Sequence, residues 1–98
     1  MEWTAIAMVE ADFPEKTLSE DEVRVIEEFL RPRKEVDNLV IYTRKITFYI
    51  WSKAKIGYKL LDDLKNQLKI LGFKNFAISA KEYAESGNNY YYSTTKKR

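Results

Sequence analysis

Apolar residues recur along this chain with two alternating periods, and the switches between them outline the fold. Residues 3–11 alternate, with Ile6 and Met8 on one face and Ala5, Ala7 and Val9 on the other, until Asp12, Phe13 and Pro14 break the run. A helical period follows. Val23, Ile26 and Leu30 form one stripe flanked by Phe29, and Pro32 stops it. The start is marked by Ser19-Glu20-Asp21-Glu22, a capping box in which the Ser19 hydroxyl takes the Glu22 amide and Glu22 reaches back. Leu18 and Val23 are spaced for the accompanying hydrophobic staple, and the acidic first turn suits the helix dipole.

Period two returns at residues 38–42 and 46–51, β-branched and aromatic runs around Thr43-Arg44-Lys45. They read as a tight hairpin or as one long bent strand. The hairpin is preferred because the fourteen residues from 38 to 51 exceed a usual strand. A second helix is predicted over 57–71 from Leu60, Leu64, Leu68 and Leu71, with Gly72 in the left-handed position after it and Phe73 folding back. Phe76, Ile78 and Ala80 alternate in a further strand, residues 86–89 signal a turn, and 90–95 read as a short returning strand. The order βαββαβ predicts an α+β, ferredoxin-like sandwich: a four-stranded antiparallel sheet with two helices on one face, plus a short C-terminal strand or tail. One domain is expected over 1–95, with a basic tip at 96–98. That architecture hosts many functions and selects none.

Charge adds what periodicity lacks. Residues 1–30 hold nine acidic residues against two basic ones, and 31–98 hold fifteen basic against six acidic, so a net charge of +2 conceals segments at −7 and +9. Such polarisation points to charged partners. Cysteine and histidine are absent, which removes disulfides, thiolate metal sites and the commonest general base and metal ligand. Metals and cofactors are therefore not expected. The acidic start differs from a secretion signal, and the most apolar stretch, 39–51, is interrupted by Thr43-Arg44-Lys45, so a cytoplasmic location without a membrane span is expected.

Four groups of residues carry candidate chemistry. Alternation puts Tyr49 and Trp51 on the face opposite Ile46, Phe48 and Ile50, with Tyr42 beside them on the neighbouring strand. An open sheet face with aromatics beside lysines is similar to the base-stacking face of RNA-recognition domains of this topology. The nearest stretch to that family's basic-Gly-aromatic octapeptide, Gly72-Phe73-Lys74-Asn75-Phe76, has a different spacing. The bland use of the same aromatics is to cover a sheet face or a homodimer interface of Tyr42, Tyr49 and Trp51. Lys53, Lys55 and Lys59 cluster with Gly57 at the start of the second helix, where basic side chains and free amides together suit phosphate; a solvated turn is the plain alternative. Arg44, Lys45 and the Lys96, Lys97, Arg98 tip are auxiliary phosphate contacts, while Arg31, Arg33 and Lys34 read as a solvated helix end. Finally, Glu10 and Asp12 share strand parity and suit a magnesium ion held through water. A carboxylate ending the first strand resembles the CRISPR-associated ferredoxin-like nucleases, a likeness that no other residue extends. Asp62 and Asp63 point about 100° apart on a helix and cannot face each other as an acid/base pair.

The sequence thus predicts a non-enzymatic protein that binds nucleic acid or a nucleoprotein complex through its basic half. The competing reading is a viral-type inhibitor or adaptor that disables a host nucleic-acid-processing defence complex.

Overall fold

A computed structural model describes residues 5–81 and 89–94. Strand β1 (Ala5–Asp12) leads to helix α1 (Glu20–Leu30), the hairpin β2 (Val36–Ile41) and β3 (Lys45–Trp51), helix α2 (Ala54–Ile70), then β4 (Ala77–Lys81) and β5 (Asn89–Ser93). All neighbouring strands are antiparallel, in the order β2-β3-β1-β4-β5. The α+β class with two helices holds. The expected four-strand count does not, because residues 89–93 pair along the whole of β4 and make a fifth strand.

Strand parity decides which side is core. Val9, Ala11, Ile46, Phe48, Ile50, Ile78 and Ala80 are buried on one face of the sheet, in a single cluster with Ile26 and Leu30 of α1 and Leu60, Leu61, Leu64 and Leu68 of α2. Both helices therefore cover the same face, and the opposite face has no second layer among the described residues. Met8 lies on that uncovered face, so the buried parity of β1 is that of Val9; the side chain of Ile6 lies outside the described residues.

Local signals fix the helix ends. Ser19 Oγ accepts from the Glu22 amide at 3.2 Å and Glu22 Oε1 accepts from the Ser19 amide at 2.9 Å, completing the capping box. At the end of α2, Gly72 adopts φ +93°, its N–H reaches the Lys69 carbonyl and the Phe73 N–H reaches the Leu68 carbonyl, which is a Schellman ending. Phe73 is buried and its ring lies 4.8 Å from that of Phe13. Helix α2 starts at Ala54, three residues before its expected start at Gly57. Lys53 is still extended, and glycine is tolerated in the first turn, where its N–H already bonds to the Lys53 carbonyl.

The hairpin reading is the observed one, with the turn tightened to Thr43 and Arg44 by the Tyr42 N–H donating to the Lys45 carbonyl. Its first strand carries a bulge: register shifts by one residue between Asp37 and Val40, and Asn38 takes φ 58°. Asparagine is among the few side chains that accept that region readily. The expected turn at 86–89 lies outside the described residues except for Asn89, which already belongs to β5, and the tip Lys96, Lys97 and Arg98 lies outside them entirely.

Candidate functional site

The uncovered sheet face can be laid out row by row from the strand register. Asp37, Tyr49, Met8 and Lys81 form one row; Val40, Thr47, Glu10, Ser79 and Tyr91 a second; Lys45, Asp12, Ala77 and Ser93 a third, with Tyr42 next to Lys45 in the hairpin turn. Trp51 stands beyond the first row at the end of β3, 42% exposed. Tyr42 and Tyr91 are more exposed still, at 52% and 63%, so aromatic surface lies at the margins of the face.

The middle is occupied by carboxylates. Lys45 Nζ lies 3.6 Å from Glu10 and 5.4 Å from the Tyr42 ring centre, so this lysine is engaged within the protein. The Asp12 carboxyl is pushed above its ordinary value, first by burial and then by the charge of Glu10 and a hydrogen bond with it, with Lys45 pulling the other way. Two carboxylates and an ammonium do not amount to a metal centre, and no group of three or more metal-ligating side chains occurs among the described residues. Asp62 and Asp63 turn to separate helix neighbours, Lys65 at 2.9 Å and Lys59 at 3.5 Å.

Among the described residues, the expected phosphate contacts are divided between the two ends of β3. Lys45 and Trp51 stand at opposite ends of β3, six residues and therefore about 20 Å apart. Arg44 donates to the Pro14 carbonyl at 2.9 Å and ties down the loop after β1, while Lys59 pairs with Asp63. What the fold brings together is Trp51 with the start of α2. The chain runs from Trp51 through the buried Ser52 to Lys53, the N-cap, whose side chain makes no capping bond, and on to exposed Lys55. The first turn of α2 contains no acidic residue, in contrast to Glu20, Asp21 and Glu22 in α1.

Lys81, Met8 and Tyr91 belong to the uncovered face and were not among the residues expected there. Lys81 was readable: the alternation of Phe76, Ile78 and Ala80 puts residues 77, 79 and 81 on the other side, whereas the alternation of β1 separates Met8 from Val9 without telling which of them is buried. Tyr91 carried no such signal, because its face depends on which strand β5 joins. A depression of about 220 Å³ among Glu15, Lys16, Phe73 and Asn75 is smaller than ordinary ligand pockets, which run from roughly 300 Å³ upward. No described helix is long and apolar enough to cross a membrane. Compared with protein-family models, with curated proteins and with solved structures, the chain matches none.

Proposed function

We propose that this chain is a small non-enzymatic binding protein, a ferredoxin-like sandwich extended by one strand, that engages nucleic acid or a nucleoprotein complex. The sandwich reading rests on the order of its first four strands, β2-β3-β1-β4, with a helix after β1 and another after β3. The functional reading rests on one observation: an exposed tryptophan at the sheet margin leads directly into a helix start that carries lysines and no carboxylate. Trp51 offers a flat face for an unpaired base, Tyr49 stands one strand position back on the same face, and Lys53 and Lys55 are close enough in sequence to hold the flanking phosphates. Arg44 and Lys45 stand at the other end of β3 from Trp51 and serve in this reading as auxiliary contacts to a longer strand.

The test is binding to labelled single- and double-stranded oligonucleotides across a salt series. Trp51→Ala weakens single-strand binding by about 1–3 kcal/mol with little change in salt slope. Lys53→Ala with Lys55→Ala flattens the log–log slope by about 1.4, from two lost phosphate contacts on a single strand. Absence of binding by the parent protein at low salt removes nucleic acid as a direct partner.

A second reading is favoured by Glu10 and Asp12, which put negative charge at the centre of the uncovered face. That charge opposes a phosphate chain crossing the sheet and suits a basic protein, the role of an inhibitor or adaptor acting on a nucleic-acid-processing defence complex. The homodimer reading of Tyr42, Tyr49 and Trp51 competes for the same face. Light scattering that returns a monomer mass at high micromolar concentration removes it.

A further inference from the structure

Among the described residues the two edges of the sheet are built differently, and the β5 edge is the better fitted to accept another strand. Edge strand β2 is interrupted by the Asn38 bulge and carries Asp37, two devices that keep an edge from pairing with other chains. Edge strand β5 has neither. Its sequence, Asn-Tyr-Tyr-Tyr-Ser, is uncharged and rich in strand-favouring residues, and it pairs with β4 over five consecutive positions without a shift. Thr94 fixes its phase: the Thr94 N–H donates to the Phe76 carbonyl at 3.0 Å, and Thr94 Oγ1 accepts from the Phe76 N–H at 2.8 Å. By the alternation of an antiparallel ladder, Tyr92 then bonds toward β4, and Tyr91 directs its N–H and C=O away from the sheet.

Among the described residues, lysines stand on both faces beside that edge. On the helix side, the Tyr92 ring lies under Lys65 and Lys69 of α2, at 5.2 and 5.3 Å. Lys65 also pairs with Asp62, whereas Lys69 makes no ion pair among the described residues. On the opposite face Lys81 of β4 stands one strand in from the edge. A second copy of this chain joining here would bring its own Lys65 and Lys69 to the same seam. An acidic strand would instead meet them as counter-charges.

We propose that the β5 edge accepts an extended acidic segment of another protein as a sixth strand, with main-chain bonds made at Tyr91 and carboxylates of the added strand facing Lys69 first and, second, Lys65, which shares its charge with Asp62. The probe is a capped heptapeptide, Thr-Glu-Val-Glu-Val-Glu-Thr, titrated into the protein and followed by amide NMR, with a counterpart carrying Lys in place of Glu. The acidic peptide is expected to bind, to shift residues of β5 and to protect the Tyr91 amide from exchange, while the Lys peptide does not. Lys65→Glu with Lys69→Glu weakens the acidic peptide about tenfold and admits the Lys peptide. Tyr91→Pro removes the outward N–H without removing a β4–β5 bond and abolishes binding. Should that proline variant fail to fold, the charge reversal still decides. Equal binding of both peptides, binding of neither, or a parent dimer that Lys65→Glu with Lys69→Glu leaves intact and that blocks the peptide would overturn the proposal.

Discussion

Replacing Ser19 by alanine tests how the first helix is started. The hydroxyl accepts the Glu22 amide at 3.2 Å, and the reciprocal bond from the Ser19 amide to Glu22 Oε1 uses only backbone on the Ser19 side. Alanine therefore removes one of two bonds, and the exposed amide it releases can turn to water. The loss falls in the lower half of the range for cap substitutions, about 0.5–1 kcal/mol. In a domain of 98 residues that is a fall in Tm of roughly 2–8 °C. Ser19→Gly should cost only a few tenths of a kcal/mol, because glycine retains some capping preference. Thermal and urea unfolding by circular dichroism at neutral pH measures all three proteins. The Glu22 carboxyl supplies a second check. Burial alone would raise its pKa, but the hydrogen bond from Lys16, those with Ser19 and the Lys16 charge outweigh that and hold it below the ordinary value. A depressed carboxyl contributes stability that is present above the unfolded-state value and lost as pH falls through the folded-state value. The advantage of the parent over Glu22→Gln should accordingly shrink on acidification. A Ser19→Ala midpoint equal to the parent's, or a Ser19→Gly protein less stable than Ser19→Ala, would refute the capping argument.

Asp12→Asn should stabilise the fold at neutral pH by about a few tenths of a kcal/mol, since it relieves a half-exposed carboxylate of burial and of the Glu10 charge. A raised folded-state pKa favours folding below the unfolded-state value and loses that effect as pH rises, so the gain should vanish in acid; a pH series of urea midpoints measures it. Leu64→Ala, at a fully buried position of α2 in the shared core, should cost about 2–5 kcal/mol in equilibrium unfolding.

What could be read from the sequence was what is decided within a few residues. Ser19 and Glu22 are three apart, and the Gly72 ending involves only Leu68 to Phe73, so both were legible. The alternation of Ile46, Phe48 and Ile50 likewise put Tyr49 and Trp51 on the uncovered face. The bulge was not legible. One extra residue at Asn38 reverses parity along β2, so Val36 faces the helices while Val40 lies on the uncovered face and Leu39 packs against the core. A short returning strand was legible at 90–95, but its place as a fifth member of the sheet was not, because that rests on non-local contacts: Tyr92 against Phe76, two lysines of α2 over the Tyr92 ring, and the Thr94 bonds to Phe76. The candidate site divided for a related reason. Lysines close in sequence to Trp51 stayed close to it, whereas Arg44 and Lys45, on the same strand and its turn, were carried to the far end and committed to Pro14 and Glu10.

The segregation of charge along the chain is only partly cancelled by folding. Asp21, Glu22 and Glu27 are matched locally by Arg24, Lys16 and Arg31, and among the described residues Lys45 reaches back to Glu10. Lys53 and Lys55 at the start of α2, and Lys69 at its end, are left without ion pairs among the described residues. From residue 53 to residue 69 the helix rises about 24 Å. Unshared cations held that far apart on a rigid element cannot close on one compact anion. Under the proposed nucleic-acid reading, a short oligonucleotide stacked at Trp51 would engage the first group and leave Lys69 to the edge of β5. A ligand that engages both has to run along α2, on the side of the sheet opposite Tyr49. Trp51→Ala should therefore weaken a ligand held at the start of α2 and leave one held beside β5 unaffected, Lys69→Glu should do the reverse, and a ligand long enough to span the helix should lose affinity to both, the two losses adding because the sites are too far apart to share partners.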